Sequence, residues 1–346
     1  MKLIIQIPCL NEEATLPATL IDLPRSIPGI DIVEILIVDD GSTDRTVDVA
    51  RRFGVHHIVS NRHNLGLARS FSRGIEECLR RGADIIVNTD GDNQYSGADI
   101  AKLVQPILEG RADIVIGDRQ TRDIPHFSPA KKLLQALGSG VISRLLRSDV
   151  PDAVSGFRAF SREAAFKTNI VSPFSYTLET VIQADRKRLR IVSVPVATNA
   201  KTRESRLFTN IPSFVSKQLA TLVRMYVMYS PLRAFLAIGL LLAAIGTAPI
   251  ARFLYFFLTG DGSGHLQSLV LGGVFVVMSF VAFTAGLLAD VVSRNRQLLE
   301  ITLEKVRRME AHGFPRPRED DGSKAAPPAA AAGDQRVARL PSARSS

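Results

Sequence analysis

Tryptophan is absent from these 346 residues, and aromatic side chains of every kind make up 6% of them. No aromatic stacking platform or nucleic-acid recognition motif is visible, so a nucleic-acid partner is not expected despite the basic charge. Cysteine is almost as scarce. Cys9 lies just after the first predicted strand and Cys78 in a predicted helix; two such residues give no disulfide framework, and reduced thiols are expected. Cys/His spacing suited to zinc is also missing. No Gly-x-Gly-x-x-Gly follows the first strand and no Gly-Lys-Ser/Thr loop occurs, which removes the main support for dinucleotide-binding and P-loop readings. Acidic residues are in deficit, 34 against 43 Lys and Arg, for a net charge of +9. That excess suits anionic partners, among them acidic lipid and phosphorylated substrates. Met1 runs directly into the first strand, so no signal peptide is expected.

Charge itself disappears late in the chain. Ala234–Ala251 is uncharged for 18 residues and Leu266–Ala289 for 24. At about 1.5 Å per helical residue, each can cross a hydrocarbon core of about 30 Å. Between them Thr259–His265 carries three glycines and neither Lys nor Arg, as the tip of a helical hairpin would. The competing reading is a hairpin buried in a soluble core. Arg224 and Arg233 precede the first run, and Arg294, Arg296, Lys305, Arg307 and Arg308 follow the second. The positive-inside rule then predicts a multi-pass membrane protein with both termini and the N-terminal domain in the cytoplasm. The expected organisation is a cytosolic domain over 1–230, two transmembrane helices over 231–292, and a basic juxtamembrane helix with a disordered tail over 293–346.

The first 230 residues alternate short apolar runs with helical patterns. Leu3–Ile7, Ile35–Val38, His57–Val59, Ile85–Val87 and Ile114–Ile116 read as strands; Glu12–Leu23, Thr43–Phe53, Gly66–Arg81 and Ala98–Glu109 read as helices. This predicts an α/β fold with a mostly parallel sheet, in which Ser42 and Asp44 are candidate caps for the second helix. The most telling strand end is Asn88–Thr89–Asp90–Gly91–Asp92. Two carboxylates across a glycine can reach one hard cation such as Mg²⁺ or Mn²⁺, and strand carboxyl ends are where an α/β sheet opens its crevice. An ordinary Asp-Gly turn is the plainer alternative. The strand ends at Pro8–Cys9–Leu10–Asn11–Glu12 and Val38–Asp39–Asp40–Gly41 are rich in acceptors, good partners for base N–H and ribose hydroxyl groups.

The set Pro-x-x-Asn-Glu (Pro8, Asn11, Glu12), Val-Asp-Asp-Gly-Ser-Thr-Asp (Asp39, Asp40), Asn64–Leu65–Gly66, Asp90–Gly91–Asp92–Asn93–Gln94 and Ser155–Gly156–Phe157–Arg158 resembles glycosyltransferase family 2. Within that family it is most similar to the polyprenyl-phosphate hexosyltransferases of the dolichol-phosphate mannosyltransferase group. The resemblance covers about residues 1–230. It implies a GT-A, Rossmann-like fold, with nucleotide contacts from Pro8, Asn11, Glu12, Asp39, Asp40 and Asp90. It also implies a Mg²⁺ or Mn²⁺ and diphosphate site at Asp92, Asp90 and Gln94. Leu10 stands where an aromatic residue is often found, and Tyr95–Ser96–Gly97 where Asp-Pro commonly follows. Without tryptophan, the Gln-x-x-Arg-Trp motif of processive polysaccharide synthases cannot be present.

On the acceptor side the expected catalytic set is Asp92 with Arg119, Arg158, Arg203 and Arg206, because arginine forks suit phosphate geometry. Lys131–Arg147 and Ile211–Tyr229 have apolar faces with basic flanks, fitting helices on anionic lipid or, alternatively, helices packed on the sheet. The implied reaction moves a hexose, with inversion, from a nucleotide sugar of the GDP-mannose or UDP-glucose type to a polyprenyl phosphate. A phosphate monoester is already largely ionised near neutral pH, so no general base is assigned, and Glu179 is a minor candidate for a sugar contact. The alternatives are another lipid or glycan acceptor, or a catalytically silent nucleotide-sugar-binding membrane subunit.

Overall fold

In the computed structural model, residues 1–120, 150–171, 176–199, 224, 226–260 and 265–311 are described. Seven strands form one sheet: β1 (Lys2–Cys9), β2 (Ile32–Asp39), β3 (His57–Ser60), β4 (Ile85–Asn88), β5 (Ile114–Asp118), β6 (Arg158–Ser161) and β7 (Ile191–Pro195), in the order β3-β2-β1-β4-β6-β5-β7. All neighbours run parallel except β6, which lies antiparallel between β4 and β5. The sheet is buried on both faces, which explains why its strands are continuous apolar runs rather than alternating ones. Helices α1 (Leu16–Asp22), α2 (Thr46–Arg52) and α4 (Ile100–Leu108) contribute to one face. Helices α3 (Leu67–Arg80), α5 (Arg162–Lys167) and α6 (Tyr176–Arg186) pack on the other. In α3 the buried Ala68, Phe71, Ile75, Cys78 and Leu79 recur at three- and four-residue steps and so face the sheet together.

A polar seam crosses this core. Gln6 Nε2 donates to Asn88 Oδ1 at 2.9 Å, and Asn88 Nδ2 donates to the Gly156 carbonyl at 2.9 Å and to Tyr176 Oη at 3.2 Å. A satisfied network of this kind fixes the register of β1, β4 and the chain entering β6 where apolar packing alone would not.

After the sheet come α7 (Pro231–Leu258) and α8 (Leu266–Ala311), both long and apolar enough to cross a membrane. They are not core helices. Among their residues only Pro231, Gly239 and Gly246 in α7, and Gly272 and Gly286 in α8, are buried, while their large apolar side chains face outward. The buried glycines let the two backbones close up: a methyl group on Gly246 would fall 2.9 Å from the Gly272 carbonyl oxygen, as in small-residue packing between membrane helices. Helix α8 does not stop at the end of its apolar run: the basic stretch expected to form a helix beyond it continues the same helix unbroken to Ala311.

Candidate active site

The carboxyl ends of β1, β2 and β4 converge, and their loops carry most of the residues singled out in the sequence. After β1, Asn11 takes a left-handed backbone (φ 54°), an angle that asparagine tolerates better than most residues. Its Oδ1 accepts from the Thr43 amide at 2.8 Å, while its own amide donates to Ser42 Oγ at 3.0 Å. Asn11 therefore ties the first loop to the second. Glu12 is buried; its amide donates to Thr46 Oγ1 at 2.8 Å and its carboxylate accepts from Thr15 Oγ1 at 2.6 Å. Asp44 precedes the N-cap position, Arg45, and accepts from the Thr46 amide at 2.9 Å, steadying the entry to α2 without capping it, whereas Ser42 is engaged by Asn11.

Asp40 is 4% exposed, and its two carboxylate oxygens accept from Asn61 Nδ2 at 2.7 Å and from the Leu65 and Gly66 amides at 2.9 Å each. With three donors bound, this side chain anchors the Asn64–Gly66 loop. Asp39 is also buried and accepts from the Ser42 amide at 2.9 Å, closing the turn at Gly41.

The Asp90–Gly91–Asp92 turn lies between these loops and the chain entering β6. Asp90 and Asp92 are both partly exposed. A methyl group on Gly91 would meet Cys9 Sγ at 3.2 Å and Glu12 Cγ at 3.4 Å, and one on Gly156 would meet Tyr176 Oη at 2.8 Å and Asp90 Oδ1 at 3.3 Å. Asp90 thus sits against Gly156, with Glu12 beside the turn's glycine. Asp92 Oδ1 accepts from the Gln94 amide at 3.1 Å. Gln94 and Asn93 are in turn joined to the chain after β7: the Asn199 amide donates to the Gln94 carbonyl at 2.9 Å, and Asn199 Nδ2 to the Asn93 carbonyl at 3.0 Å.

Two tyrosines line this turn, and sequence reasoning gave neither a role. Tyr95 stacks on Phe157 with centroids 4.8 Å apart, and its hydroxyl accepts from the Gly156 amide at 3.3 Å. Tyr176 stacks on Phe71 at 4.1 Å. Burial pushes both phenols up, so they stay neutral and present hydroxyls, not charge, beside Asp90. The only early signal was an aromatic residue in the loop after Gln94 with neither strand nor helix period.

The arginines also differ from expectation. Arg158 is completely buried, and Nε, Nη1 and Nη2 donate to the carbonyls of Ser155 (2.8 Å), Thr177 (2.7 Å) and Ala153 (2.7 Å). Burial pulls its pKa down to about 10, which still leaves it charged at neutral pH. It braces the Gly156 loop against α6. Arg119 forms a two-pronged pair with buried Asp152, at 2.7 and 3.0 Å. Burial opposes its charge, but the hydrogen bond and opposite charge of Asp152, with the charge of Asp90, more than restore it and raise its pKa. Its fork is therefore committed to Asp152. Glu179 is fully buried and faces α8, not the crevice. Arg203 and Arg206, Lys131–Arg147 and most of Ile211–Tyr229 lie outside the described residues.

The donor set fits a hard divalent ion. Asp90 and Asp92 offer oxygen only, and no cluster of three or more His, Cys, Asp or Glu suited to a metal occurs among the described residues. Two carboxylates with the remaining positions left to water and phosphate is how Mg²⁺ is commonly held.

Comparison with known proteins agrees with this geometry. Residues 4–167 match the family Glycosyl transferase family 2. The chain is similar to a UDP-N-acetylglucosamine–dolichyl-phosphate N-acetylglucosaminyltransferase of Methanococcus voltae, 29% identical over 56% of this chain and 83% of that protein. It is similar to a polyprenol monophosphomannose synthase of Mycolicibacterium smegmatis, 26% identical over 56% of this chain and 76% of that protein. The fold is like that of glucosyl-3-phosphoglycerate synthase from Mycobacterium tuberculosis, solved with Mn²⁺, uridine diphosphate and phosphoglyceric acid. That likeness has a TM-score of 0.50 and 23% identity over 65% of this chain and 78% of that one.

Proposed function

Because this chain belongs to glycosyl transferase family 2, we propose that it transfers a hexose from a nucleotide sugar to a polyprenyl phosphate at a membrane surface. The observation that carries this reading is the partly exposed Asp90–Gly91–Asp92 turn at the mouth of the crevice, with Glu12 on one side and Gly156 on the other. Relatives named for dolichyl- and polyprenyl-phosphate acceptors support the lipid class. The donor is of the GDP-mannose or UDP-glucose type.

In this reading Pro8, Asn11 and Glu12 form the nucleoside side of the crevice, with Asp39 and Asp40 shaping it through the loops they anchor. Asp92, with Asp90, would hold Mg²⁺ or Mn²⁺, with Gln94 bordering the diphosphate; a divalent ion held there would supply positive charge to the departing diphosphate. An oxygen of the acceptor phosphate attacks the anomeric carbon, the bond from that carbon to the diphosphate oxygen breaks, and the nucleoside diphosphate leaves with its electron pair. Tyr95 and Tyr176 keep the far wall neutral. Arg119 and Arg158 act through the Asp152 and Gly156 segments rather than on phosphate, so acceptor binding falls to Arg203 and Arg206. Asn199, four residues before Arg203, is bonded to the Asn93–Gln94 segment, and four residues of chain reach at most about 14 Å.

Helices α7 and α8 form the membrane anchor, with the basic flanks on the cytoplasmic side. The catalytic domain then faces cytosolic nucleotide sugar and the lipid head group together. The test is a panel of radiolabelled nucleotide sugars given to the purified chain in liposomes containing polyprenyl phosphate, diacylglycerol or a lipid-linked glycan. Organic-extractable label with polyprenyl phosphate alone is the expected result. Transfer confined to either other acceptor, or none with any donor, would contradict it.

A further inference from the structure

Helix α8 has 46 residues, about 69 Å at 1.5 Å per residue. Its apolar run ends at Ala289, so nearly half the helix extends past the segment read as membrane-spanning. That extension is not a solvated stalk. Ser293, Arg296, Glu300 and Arg307 recur at three-, four- and seven-residue steps and therefore share one face. All four bond to other parts of the catalytic unit. Ser293 Oγ donates to the Met228 carbonyl at 3.0 Å. Arg296 donates to Tyr229 Oη at 3.0 Å and to Glu300 at 3.0 Å, lies 4.8 Å over the Tyr229 ring, and stands 3.9 Å from the carboxylate of Glu179. Glu300 pairs with Lys187 at 3.1 Å. Arg307 donates to the Thr168 carbonyl at 2.8 Å and pairs with Glu76 at 2.7 Å; beside it, Arg308 pairs with Glu163 at 2.6 Å and lies 4.7 Å over Phe166.

One of the helices that this face touches, through Glu179, also borders the active site. Tyr176 begins α6 with its hydroxyl beside Asp90 and Asn88, and the Thr177 carbonyl holds Arg158. One turn later Glu179, fully buried, accepts from the Val171 amide at 3.1 Å and faces Arg296. Just after α6, Lys187 meets Glu300. A single helix of 11 residues therefore has one end at the crevice and its side against a continuation of the membrane helix. Surface ion pairs taken singly contribute little. Here a fully buried carboxylate, three further ion pairs and two ring contacts are concentrated on one rigid helix.

We propose that residues 293–308 form a positioning arm, with Arg296 as its central positioning residue, that sets the height and tilt of the crevice over the bilayer. The inference rests on the reading of the chain as a membrane-anchored transferase to a lipid phosphate. A site that joins a cytosolic donor to a head group fixed in the bilayer plane must be held at one distance from that plane. A flexible tether would leave that distance undefined. Arg296 touches neither substrate; it acts through Glu179 and α6.

The test compares wild type with Arg296→Ala, Arg296→Lys and the double change Arg307→Ala, Arg308→Ala in liposomes, using two measurements. The first is energy transfer from a dye on Arg111→Cys, an exposed position, to labelled lipid head groups. Cys9 and Cys78 are buried with thiols pushed up by that burial and stay unlabelled. The second is the ratio of transfer to a long-chain polyprenyl phosphate in the bilayer over transfer to a short-chain, water-dispersed one, with donor affinity measured by calorimetry. We expect Arg296→Ala and the double variant to change and broaden the dye-to-membrane distance. The bilayer-to-dispersed ratio should fall by about 10- to 100-fold, the scale of loss that small misplacements cause, at unchanged donor affinity. Arg296→Lys should recover part of both. An unchanged distance, or equal loss on both acceptors alongside a lower melting temperature, would overturn the arm. Should wild type transfer to neither acceptor, the proposed function falls, and the distance measurement still decides the arm.

Discussion

Asp40 and Asp92 are both strand-end carboxylates, yet their surroundings assign them opposite duties. Asp40 is buried with three donors on its two oxygens. In Asp40→Asn, an oxygen that now accepts from a backbone amide becomes an NH₂ group facing that amide. Loss of a buried acceptor costs about 1–3 kcal/mol, so Asp40→Asn should lower the melting temperature and speed amide exchange at Leu65 and Gly66. Asp92→Asn should leave both unchanged. Equal thermal behaviour of the two variants, followed by calorimetry and hydrogen exchange, would show that Asp40 is not a loop anchor. The sequence made Asp90, Asp92 and Glu12 legible because each follows a strand directly and the sheet brings strand ends together. What Asp40 and Arg158 hold in place was less legible. The donors to Asp40 lie 21 to 26 residues along the chain, and Arg158 joins the nearby Ser155 and Ala153 carbonyls to that of Thr177; no local pattern announces the distant contacts.

At the scale of elements, apolar runs read well and charged ones poorly. Strands β1 to β5 were visible as apolar runs of three to five residues, whereas β6, Arg-Ala-Phe-Ser, is short and starts with a buried arginine. Its antiparallel insertion has no sequence signature. Likewise the charges after Ala289 mark the end of the apolar run and a basic helix beyond it, but not that this helix continues α8 unbroken or docks. One consequence is dependence on pH. Partial burial works against the charge of Glu163, but hydrogen bonds from Arg308 and Lys167 outweigh it and hold the carboxyl below the ordinary glutamate value. A depressed carboxyl stabilises the folded arrangement above its unfolded pKa, and that contribution is lost as pH falls through the folded one. The end of α8 should therefore be protected from hydrogen exchange at neutral pH and open progressively below the ordinary glutamate range, before the sheet core does. Protection of residues near Arg308 that stays constant down to the unfolding of the core would contradict this pairing.

The whole molecule joins two regions with different physical demands. The sheet buries its apolar surface under helices on both faces and ends, at β1, β2 and β4, in loops rich in carboxylates, while α7 and α8 keep apolar side chains facing outward. Uncharged runs of 18 and 24 residues announced two helices long and apolar enough to cross a membrane. What joins the regions was not legible, since it depends on a helix face that becomes apparent only once α6 and α8 are in contact. The account rests most heavily on Asp92 as part of a metal-dependent transfer site, and one measurement addresses it directly: lipid-linked product formed by the purified chain in polyprenyl-phosphate liposomes, with and without chelator, for wild type and Asp92→Ala. Wild type should form product only with Mg²⁺ or Mn²⁺. Asp92→Ala should lose roughly a hundredfold or more at an unchanged melting temperature, since a metal stabilises charge in the transition state by several kcal/mol. Full activity in excess chelator, or transfer by Asp92→Ala near the wild-type rate, would contradict the account.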